Sequence, residues 1–247
     1  MKIGILGVGF IGETLVRKLS AAGHDVRVAN SRGPETIREL AEDTGATAVT
    51  TAEALQDVDA IILSIPLNKM PPLKALLAEV PADVPVIDTS NYYPLRDGHI
   101  AAIDEGQVES QWVAEQIGRP VTKAWNAVLA GTLRKNGRGK GEAGRTAIPV
   151  VGDDAKAKRI AMELVEATGF DAVDAGSIAE SWRIQTGNPG YCTELTVEQL
   201  EHALTLADRE MAPRRRDAGM QVILTFGDKY DNDDLLRLNR AVTRYPK

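Results

Sequence analysis

Apolar and polar positions in the first third of the chain switch back and forth between two periods. Ile3, Ile5 and Leu6 form a short apolar run, residues 13–22 carry apolar positions at helical spacing, and Gly23 supplies a stop. Asp25-Val-Arg-Val-Ala29 alternates as a strand does, and Pro34 opens a helix that carries Ile37, Leu40 and Ala41 to Gly45. Residues 47–50 give a short third strand, and Thr51 caps a brief helix ending near Gln56. Residues 59–65 are almost continuously apolar, as suits a parallel strand covered on both faces. Residues 67–79 predict a helix entered through the bend Pro71-Pro72, and residues 84–89 a strand in which Pro85 is tolerable only near the start or on an edge. Strand and helix in regular succession predict α/β architecture, a doubly wound and mainly parallel sheet.

The pattern is less regular afterwards. Residues 91–98 form a loop after a strand, 110–117 a short helix capped at Ser110, and 121–126 a sixth strand that ends in the amide of Asn126. Strands at 147–151 and 170–175 flank a helix over 155–168 that Asp153 caps and Gly169 ends, which brings the expected sheet to about eight strands. Beyond Gly176 the period is helical, with segments at 178–184, at 197–211 behind a Thr196…Gln199 capping box, and at 220–226 after Pro213 and Arg214-Arg215-Arg216. The chain thus divides into a sheet domain, 1–176, and a small helical region, 177–247, expected to complete a pocket and to form the interface of a homodimer.

The chemistry concentrates at strand ends. The first strand runs into Gly7-Val8-Gly9-Phe10-Ile11-Gly12, the G-x-G-x-x-G spacing in which one glycine makes the turn, one lets a pyrophosphate approach backbone and one lets helix lie on strand. Free N–H groups at the helix start then face the phosphates. With a strand before it and an amphipathic run behind it, this is a Rossmann-type dinucleotide turn rather than a bare tight turn. About 20 residues on, an NAD site places a carboxylate for the ribose hydroxyls; here the positions read Asn30, Ser31 and Arg32. A guanidinium and a hydroxyl suit a 2′-phosphate, so the expected coenzyme is NADP(H). Ser64, Ile65 and Pro66 end the fourth strand at the same edge and complete the expected coenzyme-binding set.

Composition removes several classes. The chain has 247 residues, is 43% hydrophobic and carries a net charge of −6, which speaks against nucleic acid as a partner. The single cysteine, Cys192, excludes an intramolecular disulfide and the multi-cysteine zinc sites, and no metal site is expected. With no apolar run long enough to span a bilayer and no leader pattern, the expected location is cytoplasmic, away from membranes. His24, His99 and His202 are scattered and fall in no triad-like pattern, so no catalytic side chain is assigned. The glycine-rich basic stretch 134–145 reads as mobile, either closing over an anionic ligand or a solvated insertion.

Taken together, Gly7-Val-Gly-Phe-Ile-Gly12, Asn30-Ser-Arg32, Ile65-Pro66, Ala114-Glu115, Lys123-Ala-Trp-Asn126, Gly152-Asp153, Gly169-Phe170 and Val173-Asp-Ala-Gly176 resemble the coenzyme F420-dependent NADP oxidoreductases. The related flavin-using reductase domains of the six-transmembrane metalloreductases share the likeness, which runs from Gly4 to about Arg183. It implies that Ser31 and Arg32 hold the 2′-phosphate and that hydride passes between NADPH and a deazaflavin (coenzyme F420) or flavin, a small-molecule redox acceptor. Such transfer is a matter of stacking two planar systems, with the protein supplying position. The candidate acceptor pocket is Asn91, Trp125, Asn126 and Trp182. Two other readings stay open: an NADPH-dependent imine or keto reductase of the pyrroline-5-carboxylate reductase type, and a non-catalytic NADPH-sensing protein.

Overall fold

The computed structural model describes residues 1–227 and 229–245. Six strands, β1 (Lys2–Leu6), β2 (Asp25–Ala29), β3 (Thr47–Ala48), β4 (Ala60–Leu63), β5 (Val86–Asp88) and β6 (Thr122–Lys123), form one sheet in the order β3-β2-β1-β4-β5-β6. Every pair is parallel. Leu6 pairs with Ala29 and Leu63, Leu63 with Asp88, and Asp88 with Lys123, so five strands end at one level and share a carboxyl edge. The period of two along each strand sorts its side chains between two cores. Ile3 and Ile5 pack with Leu15, Val16 and Leu19 of α1 (Phe10–Ala21), whereas Leu6, Ile61 and Leu63 pack on the other face with Leu77 and Val113. Burial on both faces is why β4 tolerates no polar residue.

The helices after α1 are α2 (Arg38–Thr44), α3 (Lys74–Ala78), α4 (Pro94–Asp97), α5 (Ala101–Asp104), α6 (Glu109–Ile117), α7 (Ala130–Lys135) and α8 (Ala155–Ala167). Residues 67–79 do not form one helix: two 3-10 turns, Leu67–Lys69 and Pro71–Leu73, precede α3, because the two prolines withhold backbone donors. The brief helix after Thr51 is likewise a 3-10 turn, Glu53–Leu55. Ser110 lies inside α6, whose N-cap position is Val108. Asp154 rather than Asp153 caps α8, its carboxylate accepting from Ala157 N at 2.6 Å; Asp153 accepts instead from Ile178 N at 3.0 Å.

The eight strands divide six and two. β7 (Ala147–Val150) and β8 (Asp171–Asp174) pair in parallel as a sheet of their own and do not simply extend the first. The link is one antiparallel bridge, in which Lys123 N donates to Val151 O at 2.8 Å and Val151 N returns to Lys123 O at 3.1 Å. β6 stops after two residues because Trp125 takes φ +57° and turns the chain out of the strand direction. α9 (Val197–Thr205) covers the second sheet with Leu200 and Ala203, which are buried within the chain against Ala147 and Val173. The predicted capping box is present, but α9 ends at Thr205. Residues 220–226 are the last part of a longer helix, α10 (Met211–Phe226), in which Pro213 falls in the first turn, where its missing N–H does no harm. α11 (Asn232–Thr243) follows and is tied to α7 through Asn232 and Thr132.

The basic stretch 134–145 is tethered at both ends. Arg134 and Lys135 belong to α7, and Arg145 is buried with its guanidinium on the carboxylates of Glu166 (2.9 Å) and Asp171. Arg145 also donates to the carbonyl of Arg138 at 3.1 Å, and Arg138 N donates to Gly169 O at 2.9 Å. Residues 134–144 are exposed throughout, and Arg145 alone of the stretch is buried.

Candidate coenzyme groove and acceptor side

Neighbouring strands β2, β1 and β4 deliver the loops 30–32, 7–12 and 64–66 to the same stretch of the carboxyl edge. The glycines of the central loop have three different reasons. Gly7 takes φ +104°, and a Cβ there would lie 2.2 Å from Ser64 O; at Gly12 it would lie 2.1 Å from Gly7 O. Those two are demanded by the chain itself. Gly9 has an ordinary φ of −70°, and a Cβ on it would meet nothing within 4 Å. Its smallness serves no neighbour in the protein, which is what a position kept clear for an incoming pyrophosphate requires. The first turn of α1 begins at the next residue and offers its unpaired N–H groups there.

Val8 and Ile11 are half-buried beside the turn, Phe10 is 76% exposed, and Ser64 and Ile65 form the floor with Pro66 at the rim. Ser64 N donates to Leu6 O at 2.8 Å, fixing this floor to β1. In the loop after β2, Asn30 is structural: Nδ2 donates to Thr36 Oγ1 at 2.8 Å and Oδ1 accepts from Arg32 N at 2.9 Å. That arrangement presents Ser31 and Arg32 to solvent, with no side-chain partner among the described residues. No carboxylate occupies either position, so a phosphate meets charge and hydroxyl without repulsion.

At the ends of β5 and β6 the structure joins two of the four predicted acceptor residues. Asn91 Nδ2 donates to Asn126 O at 2.8 Å, while Asn126 Nδ2 donates to Asn91 Oδ1 at 3.2 Å and to Ile184 O at 3.0 Å. Asn126 Oδ1 is buried and has no partner among the described residues. Trp125 corrects the expectation. It is 0% exposed, packs in the core beside Leu15, Ile148 and Phe170, and its indole donates to Thr168 Oγ1 at 3.3 Å. The residue after β6 must reverse direction, and that turn puts the indole inside while Asn126 reaches Asn91. Trp182 makes no hydrogen bond to the amide pair; it is half-buried, with the guanidinium groups of Arg183 and Arg209 at 5.0 and 6.0 Å from its ring.

Several polar groups nearby escaped the sequence reading. Lys123 Nζ and Asp88 Oδ2 form a fully buried ion pair at 2.6 Å, and Ser90 N donates to Asp88 Oδ1 at 2.8 Å. Glu109 is buried on α6, accepting from Tyr92 N at 3.0 Å; burial pushes its carboxyl up to about 7 against the pull of Lys123. The Tyr93 and Tyr191 hydroxyls meet at 2.5 Å, both phenols raised by burial. A signal did exist: Lys123 and Asp88 are single charges inside otherwise apolar strands, and such charges are stable only when paired. Cys192 is buried with its thiol pushed up to about 12 by burial, which leaves it unreactive. No helix among the described residues is long and apolar enough to cross a membrane.

Comparison with known proteins agrees with this geometry. Residues 2–92 match the family described as NADP oxidoreductase, coenzyme F420-dependent. Protein YjhV of Escherichia coli K12 is 35% identical over 103 residues, covering 42% of this chain and 75% of that one. The crystal structure of hypothetical protein SMa0349 from Sinorhizobium meliloti is similar with a TM-score of 0.67 at 30% identity, over 79% of this chain and 95% of the other. A candidate F420-dependent NADP reductase of Arthrobacter sp. FB24 shares the fold with a TM-score of 0.60 at 22% identity, over 73% of this chain and 87% of its own. A parallel sheet with a glycine turn at its centre, an edge open to a dinucleotide and these relatives lead to one conclusion: the chain belongs to the coenzyme F420-dependent NADP oxidoreductase family and is an NADP-dependent oxidoreductase.

Proposed function

We propose that this oxidoreductase passes hydride between NADPH and a planar deazaflavin, coenzyme F420, or a flavin. The observation that carries the reading is the carboxyl edge itself, where an unpaired Arg32 stands at one end and the Asn91–Asn126 amide pair at the other, with the clear space over Gly9 between them. Ser31 and Arg32 take the 2′-phosphate, the start of α1 takes the pyrophosphate, and Ser64 to Pro66 support the middle of the coenzyme. The nicotinamide then lies toward Asn91 and Asn126, where the buried and unpartnered Asn126 Oδ1 can accept from a ring amide. NADPH supplies the hydride once bound; the chain's part is to hold two rings face to face and exclude water.

One observation favours a second reading, reduction of an imine or 2-keto acid, which needs a proton as well as a hydride. Glu109, with its carboxyl near 7, lines a cavity of about 60 Å³ with Trp182, Gln185 and Arg216 and could supply that proton. Stopped-flow oxidation of NADPH against coenzyme F420, flavin mononucleotide, a cyclic imine and a 2-keto acid separates the two. Fast reduction of F420 or the flavin supports the proposal. Turnover of the imine or keto acid alone, abolished in Glu109→Gln, replaces it with the second reading.

A further inference from the structure

We propose that the cavity between the α10–α11 hairpin and the Tyr93–Tyr191 pair is a second ligand site, which takes a small monocarboxylic acid with its carboxylate on Arg215 and Thr186 and its short apolar tail beside Gly219. The cavity measures about 110 Å³. Dry cavities of about 150 Å³ take up benzene, so this smaller one holds an acid of a few carbons.

Its lining mixes two chemistries. Leu129, Ile223, Leu235 and Leu238 supply apolar surface, which suits a short alkyl group and not a bare inorganic anion. The polar lining is Thr186, the two phenols, Arg215 and Arg216. Arg216 is already engaged, pairing with Asp217 at 2.8 Å and lying 5.2 Å over the Tyr92 ring. Arg215 is not: its Nη1 is buried without a hydrogen-bond partner among the described residues. The Thr186 hydroxyl lies close to both phenols yet in hydrogen-bonding geometry with no described group. A buried guanidinium nitrogen left unsatisfied is destabilising unless an acceptor fills the space. A carboxylate offers one oxygen to that nitrogen and the other to the Thr186 hydroxyl.

Gly219 is an independent sign. It lines the cavity from the interior of α10, and it is buried. A Cβ at this position would meet nothing within 4 Å. Glycine is among the least favourable residues for a helix interior, and here no packing partner calls for it. The space it leaves open lies inside the cavity, where the tail of the acid would sit.

Binding at this cavity is testable without NADPH. Butyrate, benzoate and inorganic phosphate are titrated calorimetrically into the full chain, its Arg215→Gln variant and its Gly219→Leu variant. One carboxylate is expected to bind per chain. Arg215→Gln, which keeps the volume and removes the charge, should weaken it at least about tenfold, the loss expected for one charged hydrogen bond. Gly219→Leu keeps the charge and fills the volume, and should abolish binding, while Arg215→Lys should restore part of it. The inference is overturned if neither acid binds, if binding survives both substitutions, or if phosphate binds as well as the acids. A thermal melt of each variant shows that it is folded, and loss of binding in only the unfolded variants also counts against the site.

Discussion

Replacing Arg32 with alanine isolates the residue that should set coenzyme preference. Its guanidinium makes no ion pair or hydrogen bond with a described residue, and only its backbone N is used, donating to Asn30 Oδ1. Truncation therefore leaves the loop intact, and the whole effect appears in binding. Charge-assisted hydrogen bonds contribute about 1.5–3 kcal/mol, and an exposed loop lies toward the lower half of that range. NADPH affinity should fall roughly tenfold to fortyfold, with NADH affinity unchanged within about twofold. Fluorescence titration of both coenzymes at two salt concentrations reads this directly. The parent's preference for NADPH should narrow as salt rises, since screening at physiological ionic strength acts over about 8 Å. Equal affinities in the parent, or an equal loss for both coenzymes in Arg32→Ala, would refute the assignment. Ser31→Ala should remove a smaller part of the preference. Asn30→Ala should disturb both coenzymes, because Asn30 builds the loop through Thr36 and Arg32.

Two further outcomes follow from buried side chains. The Glu109 carboxyl moves from an ordinary 4.5 to about 7, so the folded chain holds a proton that the unfolded chain releases over that interval. Its contribution to stability thus declines as pH rises from about 4.5 to 7 and is level above that. Glu109→Gln, whose amide oxygen can still accept from Tyr92 N, should remove that slope and stabilise the protein at pH 8 by on the order of 3 kcal/mol in urea denaturation. A parent slope that persists in the variant would show that another group titrates. Trp125→Ala should lower stability by about 3–5 kcal/mol while the NADPH affinity of the folded fraction stays within about twofold, because the indole is a fully buried core residue with no surface to offer a ligand. Unchanged stability with weakened use of the acceptor would return the ring to the pocket wall.

The coenzyme half was legible in the sequence because its signals are local. A strand, three glycines at fixed spacing and a polar turn after the second strand each report on residues adjacent in the chain, and five strand ends at one level then bring them together. The acceptor side depends on contacts between distant segments. Asn91 and Asn126 meet across 35 positions, Tyr93 and Tyr191 across 98. Trp125 shows what a linear reading misses: a one-residue reversal at φ +57° sends its side chain to the core, and alternation along the expected strand gave no hint of it. The basic stretch shows a related limit. Its composition matches a solvated linker, and residues 134–144 are exposed, but nothing in it announces that Arg145 pairs with Glu166 and Asp171, a partnership that exists only after α8 has folded back.

The single bridge between Lys123 and Val151 has a consequence for how the molecule comes apart. A two-strand parallel sheet has too little hydrogen bonding and too little face to persist by itself, and β7–β8 depends on α8, on α9 and on the core it shares with the first sheet, where Ile148, Val150 and Phe170 pack with Ile5 and Leu15. Amide hydrogen exchange should therefore divide the molecule into zones. Amides of β1 and β4, enclosed on both sides by neighbouring strands, should exchange only with global unfolding, whereas those of residues 147–174 should open together at lower free energy. The division runs beside Asn126, so the end of the groove proposed for the acceptor joins the slow-exchanging zone to the fast one.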